Sequence, residues 1–218
     1  QYQFLASHFA DVLSINLTGK ASGTLEAARS AAERVNAHGR VHVINSLNAS
    51  LGQGLLAVAA AEYAKAGLSI GDAIAAVEKL IPETRTYGLL KDLRFAVRGG
   101  RVPRWVKTIA DLLRATAVIR TVPDGRVASG TFLFGRRNRI KRFARYVARL
   151  TPPADSLDVA IGHAICPEDA AELERELRRR FDNIHRTTIT DIGAALGAHG
   201  GPGTLIVATQ PYSRPARS

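Results

Sequence analysis

DVLSINLTGKASGTLEAARSAA, residues Asp11 to Ala32, decides how the rest of the chain is read. Apolar and small polar residues alternate from Val12 to Leu17, the period of a half-buried strand. A loop of small residues follows, and then Leu25, Ala28 and Ala32 recur at helical spacing. The stretch predicts strand, loop, helix. Gly19 and Gly23 let the backbone approach a ligand closely, and Ser22 or Thr24 can cap the helix, whose first free N–H groups point back into the loop. Such a terminus favours anions, carboxylates and phosphates alike, through those donors and the helix dipole. Most capping serines bind nothing, so the stretch alone admits both a ligand loop and a plain helix start.

The same alternation continues outward. Val41 to Ile44 reads as a short strand, followed by NSLNASLGQG from Asn45 to Gly54 and a helix from Leu51 to Ala66 that stops at Gly67. Ser69 caps a helix from Ile70 to Leu80, ended by Pro82. Strands alternating with helices predict a parallel sheet, in which ligands lie at the carboxyl ends of the strands. Both the Ser22 loop and the Asn45 to Ser50 loop fall there.

After Pro82 the pattern changes. A strand near Tyr87 to Leu90 leads into DLRFAVRGGRVPRW, where Gly99 and Gly100 break a helix beside a cluster of arginines. Ala117 to Val122, the pair Asp124-Gly125 and Arg126 to Leu133 predict a hairpin. A basic helix runs from Arg136 to Leu150, a strand from Leu157 to Ile165, and a charged helix from Pro167 to Phe181. Strands near Thr187 to Asp191 and Thr204 to Ala208 close the chain. The fold class is α/β with two domains: residues 1–82, a partial domain with a parallel-type sheet, and 83–218, with a mixed sheet containing a β-hairpin. GAHGGPG, from Gly197 to Gly203, reads as a loop of unusual backbone in which His199 can hydrogen-bond an anion or carry a proton, although a lone loop histidine is also an ordinary surface residue.

Composition bounds the function. A chain of 218 residues with 46% hydrophobic content supports a sizeable core, and 30 Lys and Arg against 19 Asp and Glu leave a net charge of +11. That charge suits an acidic partner, nucleic acid or an anionic membrane, or simply a solvated basic surface. Cys166 is the single cysteine, which excludes an intramolecular disulfide. The most apolar stretch, Leu55 to Ala61, is too short to cross a bilayer, no signal peptide opens the chain, and the expected compartment is the cytoplasm. The chain contains no Met, and Tyr2 to Phe9 reads as the middle of a helix, so a piece of a longer polypeptide lacking its N-terminal part is expected.

Catalytic constellations are missing from the pattern. There is no paired-carboxylate loop, no His/Cys metal spacing and no Walker loop, and GHAICPED around His163 lacks a second ligand or base nearby. Ser22 and His199 lack the Gly-x-Ser-x-Gly elbow and orienting acid of a hydrolase. A non-enzyme without metal or cofactor is expected.

Taken in order, these loops resemble the DegV family, which includes the fatty-acid-binding subunits of bacterial fatty acid kinase. TGKASGT, Thr18 to Thr24, is similar to the family's Ser-Ser-x-Leu-Ser-Gly-Thr loop, and NSLNASLGQG to its Asp-Ser-x-x-x-Ser-x-Gly-x-Gly stretch. VRGGRV, Val97 to Val102, is similar to the Leu-x-x-Gly-Gly-Arg-Ile helix end, and HGGPG, His199 to Gly203, to His-x-Gly-Pro-Gly. The resemblance implies two α/β domains holding a long-chain fatty acid between them. Ser22 would donate its hydroxyl to the carboxylate, the Gly23 and Thr24 backbone would supply N–H groups, His199 would contact the head group, and Arg101 would belong to the basic surface at the mouth. It further implies a carrier that presents the acyl group to a separate fatty acid kinase subunit. The chain departs from the pattern at Thr18 and Gly19, where two serines are usual, at Asn45, where the family has aspartate, and at Phe134, about where an arginine is usual. It also begins just after the point where members carry a Thr-Ser-Gln-Pro motif that contacts the carboxylate. The loss at Phe134 bears on kinase coupling more than on lipid binding, and Arg136, Arg137 and Arg139 stand close enough to compensate.

The alternative from another class is a nucleic-acid-binding module, resting on the net charge and on the helix from Arg136 to Arg149. That helix has only Phe143 and Tyr146 as interleaved aromatics and no recognisable motif, which ranks nucleic acid behind the lipid. The same helix suits an acidic kinase surface or a transient contact with an anionic membrane. An open sheet edge left by a missing segment would favour self-association.

Overall fold

The computed structural model describes residues 1–35, 39–100, 108, 115–135 and 137–213, which build two sheets joined by one helix. β1 (Val12–Asn16) and β2 (Val41–Asn45) pair in parallel, Val12 opposite Val41 and Asn16 opposite Asn45. The crossover between them contains α2 (Thr24–Val35), which buries Leu25, Ala28 and Ala32, the residues at helical spacing. α1 (Tyr2–His8) packs Tyr2, Leu5 and Ala6 against Val12, Ala32 and Val41.

α3 (Leu51–Lys65) is the joint. Leu56, Ala59 and Tyr63 pack with Ile44 and with Ala73, Val77 and Leu80 of α4 (Ile70–Leu80), while Leu51 and Leu55 pack on Ala160 and Ala208 of the second sheet. A helix apolar around most of its circumference is one buried on both sides, and that is how α3 is used. The Ser69 hydroxyl caps α4 by accepting from the Asp72 N–H at 3.2 Å, and a short turn at Ile81–Glu83, with Pro82 inside it, ends the run.

The second sheet has six strands: β3 (Arg85–Leu90), β4 (Ala115–Thr121), β5 (Val127–Phe134), β6 (Leu157–His163), β7 (Ile184–Asp191) and β8 (Leu205–Pro211), in the spatial order β5-β4-β3-β8-β6-β7. It is mixed: β6 and β7 are parallel, and every other pair is antiparallel. α5 (Leu93–Arg98) follows β3. α6 (Arg139–Leu150) and α7 (Pro167–Arg178) cover one face, setting Phe143, Ala144, Val147, Leu173 and Leu177 over Leu89, Val118, Ile161 and Val207. α3 covers the other face. The hairpin joins β4 to β5 through Gly125, whose φ of +85° explains the Asp-Gly turn.

Several boundaries differ from the sequence reading. The segment read as a loop from Gly197 to Gly203 is helical in its first half: α8 (Ala194–Gly200) ends in Gly201 N–H donating to Gly197 O at 2.8 Å. Ala194, Ala195 and Leu196 supply the helix propensity that the glycines hid. Gly200 is required within it, since a Cβ there would come within 2.8 Å of Thr204 Oγ1. The loop proper is Gly201 to Gly203, both glycines having positive φ. The basic helix begins at Arg139, with Arg136 outside the described residues, and the helix opened by Pro167 stops at Arg178. The last strand continues to Pro211 because β6 pairs with it that far, Leu157 standing opposite Pro211.

Candidate functional site

The loop after β1 is folded on itself by short-range bonds. Lys20 N–H donates to Thr18 Oγ1 at 3.3 Å and Ala21 N–H to Thr18 O at 3.1 Å. Ser22 Oγ accepts from Thr24 N–H at 3.2 Å and lies 2.8 Å from Thr24 Oγ1, a serine turn just ahead of α2, whose N-cap position is Gly23 rather than Ser22 or Thr24. The Thr24 N–H is thereby engaged, whereas the N–H groups of Gly23, Leu25 and Glu26 make no hydrogen bond among the described residues. Ser22, Gly23 and Thr24 thus form one partly exposed group of hydroxyls and free donors at a helix N-terminus, where an anion is favoured.

A second loop holds the first. Thr18 N–H donates to Asn48 O at 2.8 Å, and Ser46 N–H to Asn16 O at 3.0 Å. Leu47 and Ser50 have φ of 48° and 53°, a left-handed backbone that non-glycine residues adopt at a cost. Asn48 explains how that cost is met. Its Oδ1 accepts from the hydroxyls of Thr86 and Thr121, both at 3.1 Å, and its Nδ2 donates to Ser46 O at 3.2 Å and Thr84 O at 3.3 Å. Four hydrogen bonds exhaust the amide and tie the loop to β3 and β4. Gly52 permits the approach, since a Cβ there would lie 2.2 Å from Thr86 Oγ1. The hairpin turn closes on the same place, with a Cβ at Gly125 meeting Thr18 Oγ1 at 2.4 Å.

His199 is held elsewhere. On α8 its ring lies against Gly99, where a Cβ would come within 2.2 Å of His199 Nδ1, and Gly201 lies on the Phe95 ring of α5. The Gly99 and HGGPG motifs, about a hundred residues apart, are therefore two sides of one contact. Buried His199 Nδ1 has no hydrogen-bond partner among the described residues. The structure brings Ser22, Gly23 and Thr24 together and His199 to Gly99, and no hydrogen bond joins these two groups among the described residues. Arg101 lies outside the described residues.

Phe134 is exposed, and the Arg142 guanidinium donates to its carbonyl at 2.5 Å and to Gly135 O at 2.8 Å. Arg139, in contrast, is paired with Asp169. The arginine beside Phe134 is thus Arg142. Two features escaped the sequence reading. Asn48 sits in a loop rich in Asn and Ser, but its partners are remote in the chain. His163 has an acidic neighbour after all, Asp191 with Oδ1 at 3.3 Å from Nδ1, because β6 and β7 stand in register there. No group of three or more His, Cys, Asp or Glu side chains suited to a metal ion occurs among the described residues.

The parallel pair with two polar loops at its carboxyl end, joined by a buried helix to a mixed six-stranded sheet, defines an α/β protein of two sheets. Its sequence matches the family described as "Uncharacterised protein, DegV family" over residues 2–211, and the chain belongs to the DegV family. It is 29% identical over 214 residues to a DegV domain-containing protein of Deinococcus radiodurans, covering 97% of this chain and 74% of that protein. Among solved structures it is similar to DegV, a fatty acid binding protein from Bacillus subtilis, with a TM-score of 0.80, 26% identity, and coverage of 97% of this chain and 74% of that one. The fold also matches a DegV family protein from Thermus thermophilus described by its fatty acid binding, with a TM-score of 0.85, 24% identity, and coverage of 97% and 74%.

Proposed function

We propose that this chain binds one long-chain fatty acid between two α/β domains, residues 1–82 and 83–218, and presents it to a separate kinase subunit for acyl phosphorylation. The observation that carries the reading is the Ser22 loop, with free N–H donors at a helix N-terminus, in a chain whose relatives include fatty acid binding proteins. Ser22 donates its hydroxyl to the carboxylate, Gly23 adds its N–H, and Thr24 supports both through the Ser22 oxygen. His199, with an unpartnered Nδ1, supplies the head-group contact from the second domain. Arg101 contributes to the basic surface at the mouth, and Arg142 stands where the departure at Phe134 removes an arginine.

Magnitudes favour a lipid over a small polar acid. Burying roughly fifteen methylenes at about 0.8 kcal/mol each is worth on the order of 12 kcal/mol before the costs of association. A charged hydrogen bond adds about 1.5 to 3 kcal/mol. The tail sets affinity, and the loop sets orientation. The protein is then a carrier, with the chemistry on its partner. Among the described residues no helix is long and apolar enough to cross a membrane, and we place the carrier in the cytoplasm, collecting its lipid at the anionic membrane surface.

The test is native mass spectrometry of the full-length protein as purified, followed by lipid extraction. The expected result is one fatty acid per chain, with occupancy reduced by Ser22→Ala and by His199→Ala. A full-length protein that carries no lipid and takes up none from a fatty acid titration overturns the reading. Salt-sensitive binding of nucleic acid by that lipid-free protein would then favour the basic-surface alternative.

A further inference from the structure

The sheet face under α6 carries a cationic cluster that lipid binding leaves unused. Arg85 and Tyr87 alternate on β3, and Arg120 of β4 stands opposite Tyr87. Arg120 therefore shares the face on which Leu89 and Val118 pack against α6. Directly opposed residues of an antiparallel pair have Cβ atoms about 5 Å apart, which puts Arg120 beside the Tyr87 ring. Tyr146 of α6 meets Tyr87 edge to face, with ring centroids 6.1 Å apart at 88°. The Arg149 guanidinium lies 5.8 Å from the centre of the Tyr146 ring.

The strand geometry makes room for this arrangement. The β4–β5 register shifts between Val118 and Ile119, and Gly130 is the inserted residue. The Tyr146 hydroxyl lies over it, where a Cβ would come within 2.4 Å. Below, Tyr87 is only 1% exposed and its hydroxyl has no hydrogen-bond partner among the described residues. Thr151 is close enough to act on that hydroxyl, but the two do not reach hydrogen-bond geometry. Thr151 Oγ1 instead meets Val147 O at 3.0 Å and Thr209 Oγ1 at 3.2 Å. A buried, unsatisfied phenol is a costly feature to keep without a partner.

The charges around it are of one sign. Arg120 and Arg149 form no ion pair or hydrogen bond among the described residues, and Arg85 spends Nη1 on the backbone carbonyls of Pro82 and Thr84. Burial pushes the Tyr87 and Tyr146 phenols up, against Thr151, Arg85 and Arg120 at the first and Arg120 and Arg149 at the second, and no carboxylate of the described residues acts on either. Arg149 also complements the carbonyl end of α6, but Arg120 lies on a strand and has no such reason.

We propose that Arg85, Arg120 and Arg149, with the Tyr87 hydroxyl at the base, form a second anion site that takes a phosphate-class dianion. Guanidinium forks match tetrahedral oxyanions, and three cations without a carboxylate favour a doubly charged ligand over chloride. Arg149, exposed above the Tyr146 ring, is free to turn onto the anion. The site is separate from the Ser22 loop: Thr86 and Thr121, which hold Asn48, alternate with Tyr87 and Arg120 and face the other side of the sheet.

The test uses inorganic phosphate, followed by 31P NMR line width at constant ionic strength set with chloride, on the intact protein. Saturable binding is expected. Arg120→Gln should weaken it by at least about tenfold, the loss of one charge-assisted pair. Tyr87→Phe, which keeps the ring packing, should weaken it several-fold, while Arg145→Gln, exposed on the same helix, and Ser22→Ala should leave it unchanged. Absence of saturation overturns the proposal. So does an equal loss in Arg145→Gln, which would mean general surface charge, or a loss in Ser22→Ala, which would move the phosphate to the other loop.

Discussion

The two sheets are held together in different ways. The six-stranded sheet has helices on both faces, and its strand β8 is buried without a break from Leu205 to Gln210. In the two-stranded sheet only Val12 and Asn16 of β1, and Val41 and Ile44 of β2, are fully buried. Its loops carry the left-handed Leu47 and Ser50 and the free donors of the Ser22 turn. The contrast teaches where packing is concentrated: the large sheet is a platform covered on both faces, and the Ser22 and Asn48 loops sit on the thinner unit, fastened by α3 and by one polar node at Asn48.

Mutations can break that contrast. Phe143 is wholly buried in the large core, and Phe143→Ala should cost about 3 to 5 kcal/mol, read from the urea midpoint. Ile44→Val in the small unit should cost only about 0.5 to 1.5 kcal/mol. The matched change Ile161→Val in the large core should cost more than Ile44→Val, and equal costs for that pair would mean that the two units do not differ as described.

Asn48→Ala comes next. It strips the acceptor from the Thr86 and Thr121 hydroxyls, for about 1 to 3 kcal/mol. Hydrogen exchange should speed up first at the Thr18 N–H, which Asn48 O accepts, before any change in the β8 amides. Uniform speeding across both sheets would show that the node is part of the platform rather than its fastening to the loops.

The smallest effect is electrostatic and lies on the platform. The Arg180 hydrogen bond, with the charges of Arg180 and Arg179, holds the Glu176 carboxyl below the usual carboxylate range despite the opposing cost of burial. A lowered folded value means stability that is fully present above the unfolded value, about 4.3, and is lost as pH falls through the folded one. Glu176→Gln should therefore be less stable than the parent at pH 7, with the difference closing in acid. A gap that persists unchanged at pH 2 would mean the carboxylate charge has no part in it.

Much of the local structure around the candidate site was legible in the sequence. The alternation in Val12 to Leu17, the spacing of Leu25, Ala28 and Ala32, and the Ser-Gly-Thr start of a helix are local features, and the structure has them as a strand, a helix and a serine turn at the helix start. The HGGPG segment was harder, because four glycines and a proline in seven residues outweigh Ala194 to Leu196 on propensity alone. There the packing of Gly200 on Thr204 and of His199 on Gly99 decided the helix. His163 and Asp191, apart in sequence, became neighbours only through strand register.

By itself the sequence determined the order and kind of the elements apart from α8, and the family, since periodicity and turn residues act over a few positions. Only the tertiary structure decided that α3 is buried between two sheets, that Asn48 reaches Thr121 across 73 residues, and that Gly130 opens a bulge for Tyr146. Those are choices of partner. They depend on which surfaces bury the most apolar area while leaving the fewest polar groups unpaired, a balance struck over the whole chain at once.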